Sequence, residues 1–457
     1  MAKRPFQVVS EYRRLEEAIE NIFNEEDNQK VTYEKNNHEF QITVDDLKLC
    51  FGILLLTGYH SLPRERLYWS LDEDLHVPSV SKVMSKNRFV DIKKCLHFCD
   101  NDTASRSTDK LFKVRPLADL LIKKFLQWGV FHENLSIDES MIKYFERHPS
   151  KQFIRGKPVR FGYKNWIIAS YDGYCFAFDI YCGKSVQSSN EPLETRVVKG
   201  LLNKVNAIPQ QHIVFFDNFF TSHALLRDLR DAGYRATGTA RENRTKSCSL
   251  LSIKDMKKKK QAEFDYRFDT ATKILFVRWL YNSVCTMGTN YDFVHPLGKV
   301  KRWSTTEGRK TDVDIPFVFQ NYNKGMGCVD QADQSVAVYR TAIRGKKWWW
   351  VLFTSMLDLA VANAWRLHLL TADEKLDQLQ FRRSTARLYL RKLASGIDGR
   401  RHRKPSSVVP KIVQGHFVQK LSNQLRCIVC HKKARWQCKR CLKTLCIEKG
   451  CFEKYHT

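Results

Sequence analysis

Three aspartates stand inside otherwise hydrophobic segments far apart in the chain: Asp138 in LSIDESM, Asp217 in HIVFFDNFF and Asp330 in MGCVDQADQ. This constrains the fold more than any other feature. An ionised carboxylate at the end of an apolar strand loses its solvation and stays charged only if a cation or hydrogen-bond donors replace the lost water. The fold must therefore bring these positions together around a shared partner. Carboxylate oxygens are hard ligands suited to Mg2+, and Mn2+ is accepted equally. Two such ions clamp the attacking and leaving oxygens of a phosphodiester, so the expected chemistry is phosphoryl transfer on nucleic acid.

The charge balance agrees with that substrate. Lys and Arg number 77 against 49 Asp and Glu, a formal charge of +28, spread along 457 residues. Such a surface attracts polyanions. With 43% hydrophobic and 12% aromatic residues the chain can bury large cores, which excludes a disordered protein and suggests several domains. The N-terminal stretch has no apolar signal-like segment, and the longest apolar run, near Leu49 to Gly58, is too short to span a bilayer. The expectation is a soluble intracellular protein without a membrane partner.

Six of the 14 cysteines crowd into the C-terminal tail, RCIVCHKKARWQCKRCLKTLCIEKGCFEKYHT. Cys427/Cys430 and Cys438/Cys441 form two CxxC pairs, followed by Cys446, Cys451 and His456. Paired CxxC turns are a strong zinc signature. Seven evident ligands suggest two interleaved Zn2+ ions in a cross-brace, the first and third ligand pairs sharing one ion, with an eighth ligand missing or supplied by His431. One zinc site with spare thiols is the simpler alternative. A module this small has too little core to fold without metal. Before it, GIDGRRHRKPSSVVPKIVQG reads as a linker whose RRHRK cluster, Arg400 to Lys404, suits nuclear localisation or phosphate contact.

From Phe131 to Gly233 the apolar runs NLSIDESMI, YKNWIIASYDG and CFAFDIYCG read as three successive strands. A helix over about Glu194 to Asn206 leads to the buried strand HIVFFDNFF, then to a helix ending at Gly233. In a mixed sheet this β-β-β-α-β-α order lets Asp138 and Asp217 converge, which is the arrangement of an RNase H-like fold. A third acid comes from a later helix, where Val329, Ala332, Val336 and Tyr339 share helical spacing and Asp333 lies three residues after Asp330. The stretch between Arg235 and Asn323 reads as a β-rich insertion outside the sheet.

These residues carry a resemblance. Ile137 to Glu139, KQFIRGKPVRFGYK, FDNFFTS at Phe216 to Ser222, CVDQADQ and the Cys-rich end together resemble the piggyBac family of DDE/D transposases, including transposase-derived proteins retained by host genomes. The match runs from roughly Val44 to the C-terminus. It implies that Asp138, Asp217 and Asp330 are catalytic metal ligands, with Asp333 as fourth acid. It also implies double-stranded DNA as substrate, nicking and hairpin formation at transposon terminal repeats, insertion at TTAA, and a homodimer. The implied organisation is mixed α/β. A helical dimerisation and DNA-binding part covers 1–130 and 341–395, its N-terminal half containing IFNEE and DDLKLCFGILLLTGY. The catalytic core covers 131–240 and 323–340, the insertion 241–322, the linker 396–425 and the zinc module 426–457. The family pattern would leave this chain one zinc ligand short unless His431 serves.

Two further groups are expected at DNA. Lys151, Arg155, Lys157, Arg160 and Lys164 follow Asp138 in one basic segment suited to phosphates, against the simpler reading of a solvated loop face. Of the consecutive Trp348 to Trp350, different helix faces imply that one is core and one exposed. The resemblance favours Trp348 for stacking on a displaced base, with packing as the alternative. Trp279 and Trp303 are expected to pack inside the insertion. Two other functions stay open: a host DNA-binding protein that recognises element ends without cutting, and a RING-type ubiquitin ligase module in the cross-brace.

Overall fold

The structure is a computed structural model that describes residues 42–99, 107–183, 191–304, 307–391, 418–447 and 449–456. Its strands are β1 Asn134–Lys143, β2 Gln152–Phe153, β3 Phe161–Ser170, β4 Cys175–Ile180, β5 Ile213–Phe216, β6 Arg235–Thr239, β7 Phe264–Asp269, β8 Ile274–Leu280, β9 Val284–Thr289, β10 Gly298–Ser304, β11 Arg309–Ile315, β12 Val418–Arg426 and β13 Lys433–Cys438. The helices that matter here are α1 Val44–Thr57, α2 Lys86–Cys95, α3 Arg115–Trp128, α4 Leu193–Lys204, α5 His223–Asp231, α6 Phe317–Gly325, α7 Cys328–Val338, α8 Trp348–Thr371, α9 Gln378–Arg391 and α10 Cys451–His456. The chain divides into two compact units, Met1–Asp398 and Gly399–Thr457. The expected IFNEE segment and the RRHRK cluster lie outside the described residues.

In the first unit the expected meander is present, β1, β3 and β4 pairing antiparallel, with the two-residue β2 added on the outer edge of β3. After α4 the chain returns as β5, parallel to β1, and after α5 as β6, parallel to β5. Every residue of β5 is buried, as a strand covered on both faces requires.

One expectation is corrected. The insertion is not outside the sheet: β9 pairs antiparallel with β6, and β8 and β7 extend it, giving nine strands in the order β2-β3-β1-β5-β6-β9-β8-β7 with β4 on β3. An unpaired β6 would leave a row of backbone donors and acceptors open beside the catalytic strands, and β9 satisfies them. All seven residues of β8 are buried, so it is a central strand of a covered sheet. Among the described strands of the insertion, β10 and β11 alone form a separate hairpin. Trp279 packs in a second core with Val277, Met287 and Phe319, as expected. Trp303 does not pack: it is 61% exposed on β10.

The helical segments on either side of the strands meet in space. α1 is buried from Leu49 to Thr57 without interruption, so it needs cover on every face. Arg382 of α9 donates through Nε to the Leu55 carbonyl at 3.0 Å and through Nη2 to Asp358 of α8 at 2.7 Å. Asp358 also accepts from the Thr341 amide at 2.9 Å, so this buried ion pair has donors around it. α1, α8 and the sheet belong to one continuous core. None of the described helices is long and apolar enough to cross a membrane.

In the second unit β12 and β13 form an antiparallel hairpin, followed by α10. β12 begins at Val418, inside the stretch expected to be linker.

Candidate active site and zinc-ligand module

The parallel register sets Ile137 of β1 opposite Phe216 of β5, so Asp138 and Asp217 take the next position on adjacent strands. Strand alternation puts Ser136, Asp138 and Ser140 on one face of β1. That face meets the α6–α7 corner, where the Ser136 hydroxyl lies 3.4 Å from the Met326 sulfur and the Ser140 hydroxyl donates to Asp333 at 2.6 Å. α7 starts from Gly327 at φ +94, a left-handed conformation that glycine adopts without strain. This sharp entry puts Asp330 in the first helical turn and Asp333 one turn on. Among the residues of the expected apolar stripe, Val329, Ala332 and Val336 are buried and anchor the helix; Tyr339 is its C-terminal cap.

The four expected acids form an electrostatically coupled set. Burial pushes Asp138 up to about 7, with Asp217 and Asp330 adding to the rise, while the Glu139 amide, donating at 2.7 Å, and Lys157 oppose it. Burial also raises Asp217, Glu139 adding, against the Phe219 amide at 2.9 Å, Lys157 and Arg241. Asp333 reaches about 6 through burial and Asp330, with Ser140, Arg340 and Lys157 opposing. Like charges crowded in a desolvated pocket are what a divalent cation relieves. The donor set is all oxygen, so Asp138, Asp217 and Asp330 fit a hard ion such as Mg2+. Their oxygens are more widely spread than the thiolate ligands: among the described residues, only two Cys-rich groups bring three ligand atoms within 4.8 Å of one another.

Glu139, one residue after Asp138 and on the opposite strand face, was not foreseen as part of the site. It pairs with Lys164 at 2.5 Å and Lys157 at 3.4 Å. Two of the five expected phosphate contacts are thus held beside the acids by a carboxylate, and Lys164 also lies 3.9 Å above the Trp166 ring. Lys151 donates to the Phe145 carbonyl at 3.0 Å, while Arg155 and Arg160 are exposed. Ser140 was equally unforeseen, although its spacing of two from Asp138 is a signal that strand alternation could have supplied. Tyr322, whose hydroxyl lies 3.4 Å from the Phe216 carbonyl, had no signal in sequence. Trp349 and Trp350 are core, and half-buried Trp348 stacks on His148 with centroids 4.4 Å apart.

In the tail, Cys427, Cys430, Cys446 and Cys451 gather into one group and Cys438, Cys441 and His456 into another. The first and third pairs share a site, which is the cross-brace connectivity, and either group could hold Zn2+. Burial opposes ionisation of Cys427, yet the amides of Cys430, Val429 and Cys446 outweigh it and hold the thiol at about 6, while burial, reinforced by Cys430 and Cys427, pushes Cys446 up to about 12. His431 belongs to neither group. It sits exposed at φ +57 with its amide donating to the Cys427 carbonyl, on the turn that closes the first CxxC pair.

A family model described as Transposase IS4 matches residues 15–365. The human PiggyBac transposable element-derived protein 3 is 36% identical over 422 residues, which cover 91% of this chain and 70% of that protein. The chain belongs to the piggyBac-type transposase family. The human PiggyBac transposable element-derived protein 2 is 35% identical over 429 residues, covering 92% and 72%. The fold is shared with a cryo-EM structure of the piggyBac transposase synaptic complex with hairpin DNA, at a TM-score of 0.70, 20% identity and 98% coverage of both chains. Membership of a DDE transposase family implies a divalent metal.

Proposed function

We propose that this chain cuts and joins DNA strands at transposon ends, inserting at TTAA, with Asp138, Asp217 and Asp330 as the metal ligands and Asp333 as the supporting acid. The observation that carries this reading is the adjacency of Asp138 and Asp217 on parallel neighbouring strands, with Asp330 of α7 electrostatically coupled to Asp138 and Asp333 to Asp330. Divalent ions held there supply charge stabilisation at the attacking and leaving oxygens of the phosphodiester. The protein's own groups orient the reactants. Ser140 fixes Asp333, Glu139 holds Lys157 and Lys164 against the pocket, and Arg155 and Arg160 are free to meet the phosphates of bound duplex. The zinc module would read the terminal repeats, the chain would act as a homodimer, and its place of work would be the nucleus.

The test is excision in cells of a reporter interrupted by the terminal repeats that flank the coding region. The wild type should restore the reporter and Asp217→Asn should not. The relatives' names describe them as derived from transposable elements, which favours a second reading, an end-binding protein that no longer cuts. Failure of both proteins to excise, with end-specific binding intact, would select that second reading.

A further inference from the structure

The arm formed by the chain just after β1, by β2 and by the start of β3 leaves three aromatic rings in solvent: Phe145 is 65% exposed, Phe153 59% and Phe161 42%. Phe153 and Phe161 face each other across the β2–β3 register with centroids 4.8 Å apart. Single exposed apolar residues are ordinary, but three phenylalanines on one arm form a patch that needs an occupant. Cations interleave them. Lys143 Nζ lies 5.2 Å from the Phe145 ring centre and Lys151 Nζ 5.9 Å from that of Phe161. From Lys143 to Lys164 the chain carries a single acid, Glu146, against seven Lys and Arg. The turn of the same arm carries Lys157, which reaches Glu139 beside the acid cluster, so the patch is continuous with the candidate active site.

We propose that this arm is a stacking platform for unpaired DNA bases next to the acid cluster, an inference that rests on the transposase reading above. A flat aromatic face offers little to duplex DNA, whose bases are already stacked inside. It suits bases that strand cleavage or hairpin formation has released, and interleaved lysines suit the phosphates between them. A second copy of the chain is a poorer occupant, because a two-fold contact here would set the same cations against themselves. The platform also differs in place and exposure from Trp348, which is half-buried at the start of α8.

The full chain is tested by fluorescence anisotropy on a short oligo-dT and on a blunt duplex of the same length. The comparison is between wild type and the double variant Phe153→Ala with Phe161→Ala, whose exposed positions leave the core intact. The double variant should bind oligo-dT about tenfold or more weakly. Its salt dependence should be unchanged, because no phosphate contact is lost, and so should its duplex affinity. Phe153→Tyr with Phe161→Tyr should restore binding. Unchanged oligo-dT affinity, or an equal loss on both DNAs, overturns the platform while leaving the transposase reading in place. A wild-type dimer that the double variant loses would assign the face to a second copy and overturn it too. Wild type that binds neither DNA would remove both readings.

Discussion

Asp46 shows how one carboxylate organises the entrance to α1. Its side chain accepts from the Thr43 amide at 3.2 Å while its own amide donates to the Thr43 hydroxyl at 3.1 Å, a reciprocal cap, and Arg88 of α2 donates to the same carboxylate. Burial works against ionisation here, but Arg88 and Thr43 outweigh it and hold Asp46 below the usual carboxylate range. A depressed carboxylate contributes stability above its unfolded pKa of about 3.9, and that contribution is lost as pH falls through the folded value. Asp46→Ala should therefore cost about 1–2 kcal/mol in urea unfolding at pH 7 and clearly less near pH 3. A loss that stayed constant across that range would assign the effect to packing instead. The same kind of reasoning explains which site residues sequence could reveal. Asp138 and Asp217 stand out because a charge inside an apolar strand has few structural excuses. Glu139 does not, because its partners Lys157 and Lys164 lie 18 and 25 positions away among many other basic residues, and only the strand register brings them to it. His431, left open as an eighth zinc ligand, lies outside both cysteine groups, because adjacency to Cys430 in sequence does not fix where a side chain on a left-handed turn is carried.

α6 approaches β5 closely just before Asp217. A Cβ on Gly325 would lie 2.2 Å from the Phe215 ring, and Phe215 is fully buried two residues before Asp217. Gly325→Ala must therefore displace either the helix or the strand, at about 1–3 kcal/mol. Thermal unfolding should register that loss, and excision should fall further than DNA binding does, since Asp217 moves with β5. An unchanged Tm would show that the ring has room to turn aside. The meander β1-β3-β4 and its return through β5 were legible because each strand is a continuous apolar run bounded by turns. The connection of β9 to β6 was not. Hydrophobic runs announce that a strand is buried but not which edge it joins, and β6 and β9 are separated by the whole β7–β8 excursion.

The chain's division into two compact units predicts two separate responses to chelation. The core of the second unit consists almost entirely of its metal-ligand cysteines with Ala434 and Leu445, too little apolar surface to hold a hairpin by itself. A strong chelator should release about two zinc ions per chain and erase the hairpin's amide signals, while the thermal transition of the first unit persists. Release of one ion only would restrict metal to the Cys427 group. Resistance of the hairpin to chelation would mean that the thiols hold no structural ion.

The contact between Arg382 and the Leu55 carbonyl spans 327 positions. It gives the order of synthesis a cost in time. α1 leaves the ribosome early with an unbroken apolar run from Leu49 to Leu56, but α9, which covers it, follows only after roughly 15–65 s at about 5–20 residues per second. During that interval the nascent chain carries an uncovered greasy helix, so it is a natural client for chaperones. Any message truncated before α9 should yield a product that aggregates rather than a smaller folded protein.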